Sequence, residues 1–365
     1  MTGVNGAVAN GHQMASPEHK KAKGESQSEK FDALFSVLNE DLTKQGLKDG
    51  EIADAMAWFK RVNDYNVPFG KKNRGMAVMD TYLQLVNNPT EEELVPVRVV
   101  GWCIEWLQAF FLVADDVMDH SVTRRGQPCW YKVPGVSLEA INDSFYLESA
   151  IYVLLKKYCK GKSYYLSILE LFHEVTMQTI TGQCLDMKTA PEDHVDFSNY
   201  TLDRYKAIVK YKTAFYSFYL PVAAAMYMAG IEDESKHTDA KIVLLKMGEF
   251  FQIQDDFLDC YGDPKVTGKV GTDIEDNKCG WLVIQALNRA TPEQRKTLEE
   301  NYAQKDPAKV AVIKGIFNDL DLKKVYADYE ESSYQELCQL IEKLSGNLPK
   351  DIFFKFAKKI YKRDK

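Results

Sequence analysis

Six aspartates fall in two sets with the same spacing: Asp115, Asp116 and Asp119, then Asp255, Asp256 and Asp259, 140 residues further on. On a helix, positions i, i+1 and i+4 project toward one side, so each set is expected to present three carboxylates within about one turn. Like charges that close repel, and divalent cations relieve the repulsion. All-oxygen donors suit hard ions, and magnesium takes one or two carboxylates together with water and phosphate oxygens. The pattern points to several magnesium ions, with manganese as a substitute, around a phosphorylated ligand. Either string alone could be a solvated acidic helix face. Gln108 to Ala114 and Phe250 to Gln254, which lead into the two strings, are nearly continuous apolar sequence instead. A surface helix would carry polar residues over most of a turn, so the carboxylates are expected to line an interior cavity.

Cationic residues stand where such a ligand needs them. Arg124, Arg125 and Gly126 follow the first string after a short polar stretch, and planar guanidinium groups grip phosphate oxygens in pairs. Tyr261 to Lys278, after the second string, contains Gly262, Gly268 and Gly271 with Lys265, Lys269 and Lys278, and reads as a flexible basic loop. Gly70 to Gly75 is a further glycine-bounded basic turn, without the spacing of a nucleotide P-loop.

With these residues the chain resembles the trans-isoprenyl diphosphate synthases, and within them the fifteen-carbon branch found in animals. The resemblance runs from about Phe31 to the C-terminus. It rests on GKKNRG (70–75), LQAFFLVADDVMDHSVTRRGQPCWY (107–131), GQCLDM (182–187), KTAFYSFYLP (212–221), FQIQDDFLDCYGD (251–263) and GKVGTDIEDNKCGWL (268–282). It implies head-to-tail condensation of isopentenyl diphosphate with dimethylallyl diphosphate and then geranyl diphosphate, by a homodimer. By motif position, Asp115, Asp119 and Asp255 would be direct magnesium ligands, with Asp116, Asp256 and Asp259 supporting them. Arg124, Lys212 and Lys269 would hold the allylic diphosphate, and Lys278 of the same loop is also assigned to substrate binding. Lys71, Arg74, Arg125 and Arg363 would hold isopentenyl diphosphate, with Gln108 near it. Thr213, Gln252 and Tyr216 would stand beside the ionising carbon, and Gln183 and Asp186 would face the same cavity.

The chemistry is coherent with those residue types. Breaking the carbon–oxygen bond puts negative charge on the departing diphosphate, which metal ions and fixed Arg and Lys groups stabilise. The allylic cation left behind needs neutral, electron-rich, water-free surroundings, which Thr213, Gln252 and Tyr216 supply. No conventional side-chain base is evident; by family analogy the released diphosphate takes the proton that ends each round. Phe111 lies four residues before Asp115, hence one turn below it on the same face, and Phe110 adjoins it. Together they would floor the pocket, and the resemblance implies that bulky aromatics at this place stop growth at fifteen carbons.

Helices must carry all of this. A 3.6-residue apolar period begins with Phe31, Leu34, Phe35, Leu38 and Leu42. It recurs near 97–119, 143–158, 163–185, 201–229, 239–260, 279–290, 323–344 and 351–362, with a kink expected at Pro221. Sustained period-two alternation is absent. The expected fold is an all-α, single-domain helical bundle of the isoprenoid synthase type over residues 31–365, with a central catalytic cavity. Residues 1–30 read as a disordered leader without an apolar signal core. A formal charge of −7 argues against a nucleic-acid surface, and the apolar stretch from Thr213 to Met228 is too short to cross a bilayer. Seven cysteines without a C-x-x-C pair fit neither zinc nor a disulfide framework and suit a reducing cytoplasm. The alternatives are a geranyl or geranylgeranyl diphosphate synthase, a class I terpene cyclase, and a catalytically silent partner subunit.

Overall fold

In the computed structural model, which describes residues 2, 25–191, 194–267, 270–344 and 348–361, the two acidic strings sit at equivalent places. Each lies in the last turn or two of a 28-residue helix. The first is α4 (Glu91–Met118), which follows α1 (Gln27–Thr43), α2 (Ala53–Asn66) and α3 (Asn73–Leu85). Thr90 and Glu93 cap its start reciprocally, and Glu91, Glu92 and Glu93 complement the positive end of its dipole. Val97, Val100, Trp102, Ile104, Trp106 and Leu107 are buried along it. It is long and apolar enough to cross a membrane, but most of that stretch is packed inside the protein, as befits a central core helix.

Next come a two-stranded hairpin, β1 (Thr123–Arg124) and β2 (Gln127–Pro128), then α5 (Ala140–Cys159) and α6 (Tyr165–Thr189). Helix α7 (Leu202–Ile208) runs into a π-helical segment (Val209–Tyr219) and then α8 (Leu220–Met228). The second acidic helix is α9 (Glu234–Tyr261). A single turn, α10 (Pro264–Thr267), leads to α11 (Trp281–Leu287), α12 (Pro292–Asn301), α13 (Pro307–Asp319), α14 (Leu322–Glu342) and α15 (Lys350–Ile360). Helix α4 packs on α3 and α5, and the π-helical segment lies between α6 and α9. One large apolar core unites α1 to α6, α8 and α9 with the end of α14 and with α15, and a smaller one gathers α7 and α11 to α14 beneath the end of α9.

The all-α bundle agrees with the periodicity, with four additions and several changes of detail. Helices α2, α3, α12 and α13 were not anticipated, although α3 buries Ala77, Val78, Met79 and Tyr82. Ser26 and Glu29 cap α1 at Gln27, so ordered helix begins before residue 31; residues 1 and 3–24 of the expected leader lie outside the described residues. The break expected at Pro221 takes the form of a change in winding. Proline lacks an N–H and crowds the carbonyl four residues back. The turns before it are wound wide, with the Leu220 N–H bonded to Phe215 O, five residues back, and α-helix resumes with Pro221 in its first turn.

Candidate active site

Carboxylates at the C-terminal end of a helix face the negative pole of its dipole, where cations are favoured. Both acidic strings occupy that unfavourable place, and the first is surrounded by cations brought from other elements. Arg124 donates to Asp116 Oδ1 through Nε at 3.0 Å and Nη2 at 2.5 Å, and lies 3.7 Å from Asp115. Lys212 Nζ donates to Asp186 at 2.7 Å and stands 3.4 Å from Asp115. Lys278 Nζ donates to Asp119 at 2.7 Å and lies 3.9 Å from Asp186.

The charge states follow from this packing. Burial alone would lower the Lys212 ammonium, but Asp186, Asp115 and Asp119 outweigh it and raise the group, so it stays charged. Burial would raise Asp186, yet Lys212 and Lys278 win and hold it low. Asp119 is raised, by burial first and by Asp115 second, against the pull of Lys278 and Lys212. Asp115 Oδ1 is buried without a hydrogen bond, and so is Gln183 Nε2.

Three carboxylates per face was the expectation, and the structure delivers two. Asp115 and Asp119 remain accessible at 21% and 23% of their side chains, whereas Asp116 is turned inward onto Arg124. In the second string Asp256 is likewise buried. It accepts from Tyr205 OH at 2.8 Å, the Trp281 N–H at 2.8 Å and Gln252 Nε2 at 3.0 Å. Burial raises Asp256 to about 7, against those three donors. On a helix the middle position is rotated about 100° from the first aspartate and about 60° from the third, enough to leave the open face and enter the core. Asp255 and Asp259 stay partly exposed, and Asp259 Oδ2 accepts from the Asp273 N–H at 3.1 Å.

The π-helical segment joins the two strings through consecutive residues. Lys212 addresses Asp115 and Asp186, while Thr213 donates its hydroxyl to Gln252 Oε1 at 3.2 Å, one turn before Asp255 and Asp256. Two glycines allow this approach. A Cβ on Gly182 would lie 2.1 Å from Lys212 N, and one on Gly248 would lie 2.3 Å from Ala214 Cβ. Any side chain at 182 would push α6, with Gln183 and Asp186, away from Lys212.

A second, basic subsite lies on the other side of the Phe110–Phe111 turn. Lys71, Lys72, Arg74, Gln108, Arg125 and Lys359 line a cavity of about 600 Å³ with Phe218, Phe251 and Phe356 at its apolar end. Arg74 is held by Ser217 Oγ at 2.7 Å and Tyr216 OH at 3.1 Å, with its guanidinium 4.7 Å above the Tyr216 ring. The Gln108 amide, oriented with oxygen toward Arg74, accepts from Nη1 at 2.8 Å and donates to Glu105 at 3.2 Å. Arg125 and Gly126 form the tip of the hairpin, both with positive φ (54° and 75°), the conformation of a type I′ turn. Glycine accepts this freely, but arginine does not, so strain is held where a guanidinium is presented. Phe110 and Phe111 lie 4.8 Å apart with their rings tilted by 40°, and Phe111 meets the Tyr216 ring edge-on at 5.5 Å, linking the floor to the basic subsite.

The loop carrying Lys278 is fixed rather than flexible over its described part. Tyr302 OH donates to Lys278 O at 2.7 Å, Tyr200 OH donates to Asn277, and Asn277 donates to Pro191 O. Lys269 and Arg363 lie outside the described residues. Tyr205, Ser217, Glu105 and Lys359 were missed, and Lys72, within the basic turn at Gly70 to Gly75, was given no role of its own. Glu105 alone left a signal, as a lone acid in the apolar run of α4; it is buried and accepts the Gly75 N–H at 2.8 Å. Among the described residues, no three His, Cys, Asp or Glu side chains converge to hold a metal ion unaided.

The arrangement is an acid-and-cation cluster between two helix ends, with a separate basic pocket beside an aromatic floor. The polyprenyl synthetase family model matches residues 56–320. The farnesyl pyrophosphate synthase of Gallus gallus is 56% identical over 344 residues, 93% of this chain and 94% of that one. That of Saccharomyces cerevisiae is 52% identical over 347 residues, 93% and 99% of the two chains. The solved structure of T. brucei farnesyl diphosphate synthase complexed with a bisphosphonate superposes with a TM-score of 0.85 at 33% identity, covering 92% of this chain and 99% of that one.

Proposed function

The chain belongs to the polyprenyl synthetase family and is a prenyltransferase, and from that premise we propose a two-round synthesis of farnesyl diphosphate. Isopentenyl diphosphate would condense first with dimethylallyl diphosphate and then with geranyl diphosphate. The observation that carries this reading is the pair of separate cationic subsites. One is built from Arg124, Lys212 and Lys278 among the aspartates, the other from Lys71, Arg74 and Arg125.

The donor set suits magnesium. All the groups are oxygens, Asp115 Oδ1 is buried without a hydrogen bond, and the carboxylates are too spread to bind an ion without water or substrate oxygens. Asp115, Asp119, Asp255 and Asp259 are the residues that would hold such ions, with Asp116 and Asp256 behind them. When bound, magnesium neutralises charge on the leaving diphosphate. Arg124 and Lys212 grip the same diphosphate, and Lys212 stays protonated because acids surround it. Thr213, Gln252 and the Tyr216 ring offer the allylic cation oxygen and π-electron density without a basic nitrogen that would trap it. Arg74, held by Ser217 and Tyr216, and Arg125 at the strained turn fix isopentenyl diphosphate for attack.

Incubation with isopentenyl diphosphate and each of the five-, ten- and fifteen-carbon allylic diphosphates, with magnesium and with chelator, tests this reading. Fifteen-carbon product dependent on metal is expected; a cyclic hydrocarbon, a product of another length or no turnover would overturn it.

A homodimer is part of the proposal. Ile141 and Phe145 of α5, with Leu166, Met177 and Ile180 of α6, leave apolar side chains exposed on adjacent helices. Light scattering at micromolar concentration should give twice the chain mass. The proposed location is cytoplasmic, in keeping with seven unpaired cysteines.

A further inference from the structure

The Gln252 side chain lies between the Asp256 carboxyl and the Thr213 hydroxyl. Its Nε2 donates to Asp256 Oδ1 at 3.0 Å, and its Oε1 accepts from the Thr213 hydroxyl at 3.2 Å. An amide has nearly the same shape either way round, so its neighbours alone decide which end points where. The Tyr205 OH and Trp281 N–H both donate to Asp256 and favour its ionised, acceptor-only form, which keeps the amide nitrogen on the Asp256 side and turns the oxygen toward the Thr213 hydroxyl. Asp256 has no room to turn. Its other oxygen accepts from Tyr205 OH and from the Trp281 N–H, both at 2.8 Å. Tyr205, on α7, is itself buried at 2% exposure.

We propose that Asp256, held in place by Tyr205, is a positioning residue that orients the Gln252 amide so that its oxygen, rather than its NH2 group, is presented to the carbon where positive charge develops. The inference rests on the prenyl-transfer reading above. Reversing an amide reverses its dipole, turning a group that stabilises the cation into one that opposes it, with almost no change in shape. Fixing the orientation before substrate arrives makes the stabilisation free of reorganisation in the transition state. Neither Asp256 nor Tyr205 needs to touch the substrate for this.

Two isosteric allylic diphosphate analogues test it by calorimetry in the presence of magnesium. One carries an ammonium nitrogen at the carbon that becomes cationic, and the other a neutral carbon. The wild type is expected to prefer the ammonium compound. In Asp256→Asn the new NH2 group can donate to Gln252 Oε1 and let the amide reverse. The preference should then fall by about tenfold or more while affinity for the neutral analogue stays within about twofold. Turnover should fall with the KM for allylic diphosphate unchanged. Tyr205→Phe keeps the fold and loosens Asp256, and should show a smaller loss of the same preference. If Asp256→Asn does not fold, Tyr205→Phe alone decides: an altered preference supports the proposal and an unaltered one overturns it. Equal weakening of both analogues, or an active wild type without the preference, also overturns it. A wild type that transfers no prenyl group defeats the underlying reading instead.

Discussion

The two acidic strings share spacing, helix length and position on the helix, yet their middle residues answer to different partners. Asp116 meets the Arg124 guanidinium, and so ties down the hairpin that presents Arg125. Asp256 meets a phenol, a backbone N–H and an amide, and so ties the start of α11 and Gln252 to α9. One anchor is ionic and the other is made of neutral donors; on the proposed function the first would serve the diphosphate end and the second the cation end. Repetition in sequence thus marks a shared task for the outer carboxylates and two separate tasks for the inner ones.

The sharpest break of this comparison is at the outer positions. Asp115→Ala and Asp255→Ala should each lower turnover by about a thousandfold or more, with unfolding midpoints close to wild type, because both contribute to leaving-group stabilisation. A thousandfold loss in one and a small loss in the other, in steady-state assays, would end the idea of a shared task.

The inner pair should then separate. Asp116→Ala is expected to raise the KM for allylic diphosphate and to cost about 2 kcal/mol in urea unfolding. That figure is at the low end for a broken ion pair, because the Arg124 side chain is 37% exposed. Asp256 variants should act on turnover instead; if both inner variants changed the same kinetic constant, the division of labour would fail.

Arg74→Lys should raise the KM for isopentenyl diphosphate by about tenfold without altering that for the allylic substrate, since an ammonium cannot reproduce the guanidinium geometry toward Ser217, Tyr216 and a phosphate together. The mildest effect on rate, though not on outcome, belongs to Phe110→Ala with Phe111→Ala. Product chromatography should show chains of twenty carbons or more, and an unchanged fifteen-carbon product would remove the floor from the explanation.

Much of the site could be read from residues alone, and the failures are instructive. Lys212, Thr213, Gln252, Arg74 and Arg125 announced themselves through motif position. Tyr205 and Ser217 could not, because a buried hydroxyl acquires its role from the partner it meets, and those partners lie 51 and 143 residues away. The π-helical winding of Val209–Tyr219 was equally hidden: proline signals a disturbance, but not the wide turns before it or the close approach of α6 and α9 to them at Gly182 and Gly248.

Local sequence determined that this chain forms helices and that two of them carry carboxylates near their ends, since periodicity, capping and spacing act over a few residues. Only the tertiary structure decided which of three neighbouring aspartates faces the cavity. A 100° step around a helix has no meaning until another element occupies one side of it, and at Asp116 and Asp256 the occupants come from the hairpin, α7 and the start of α11.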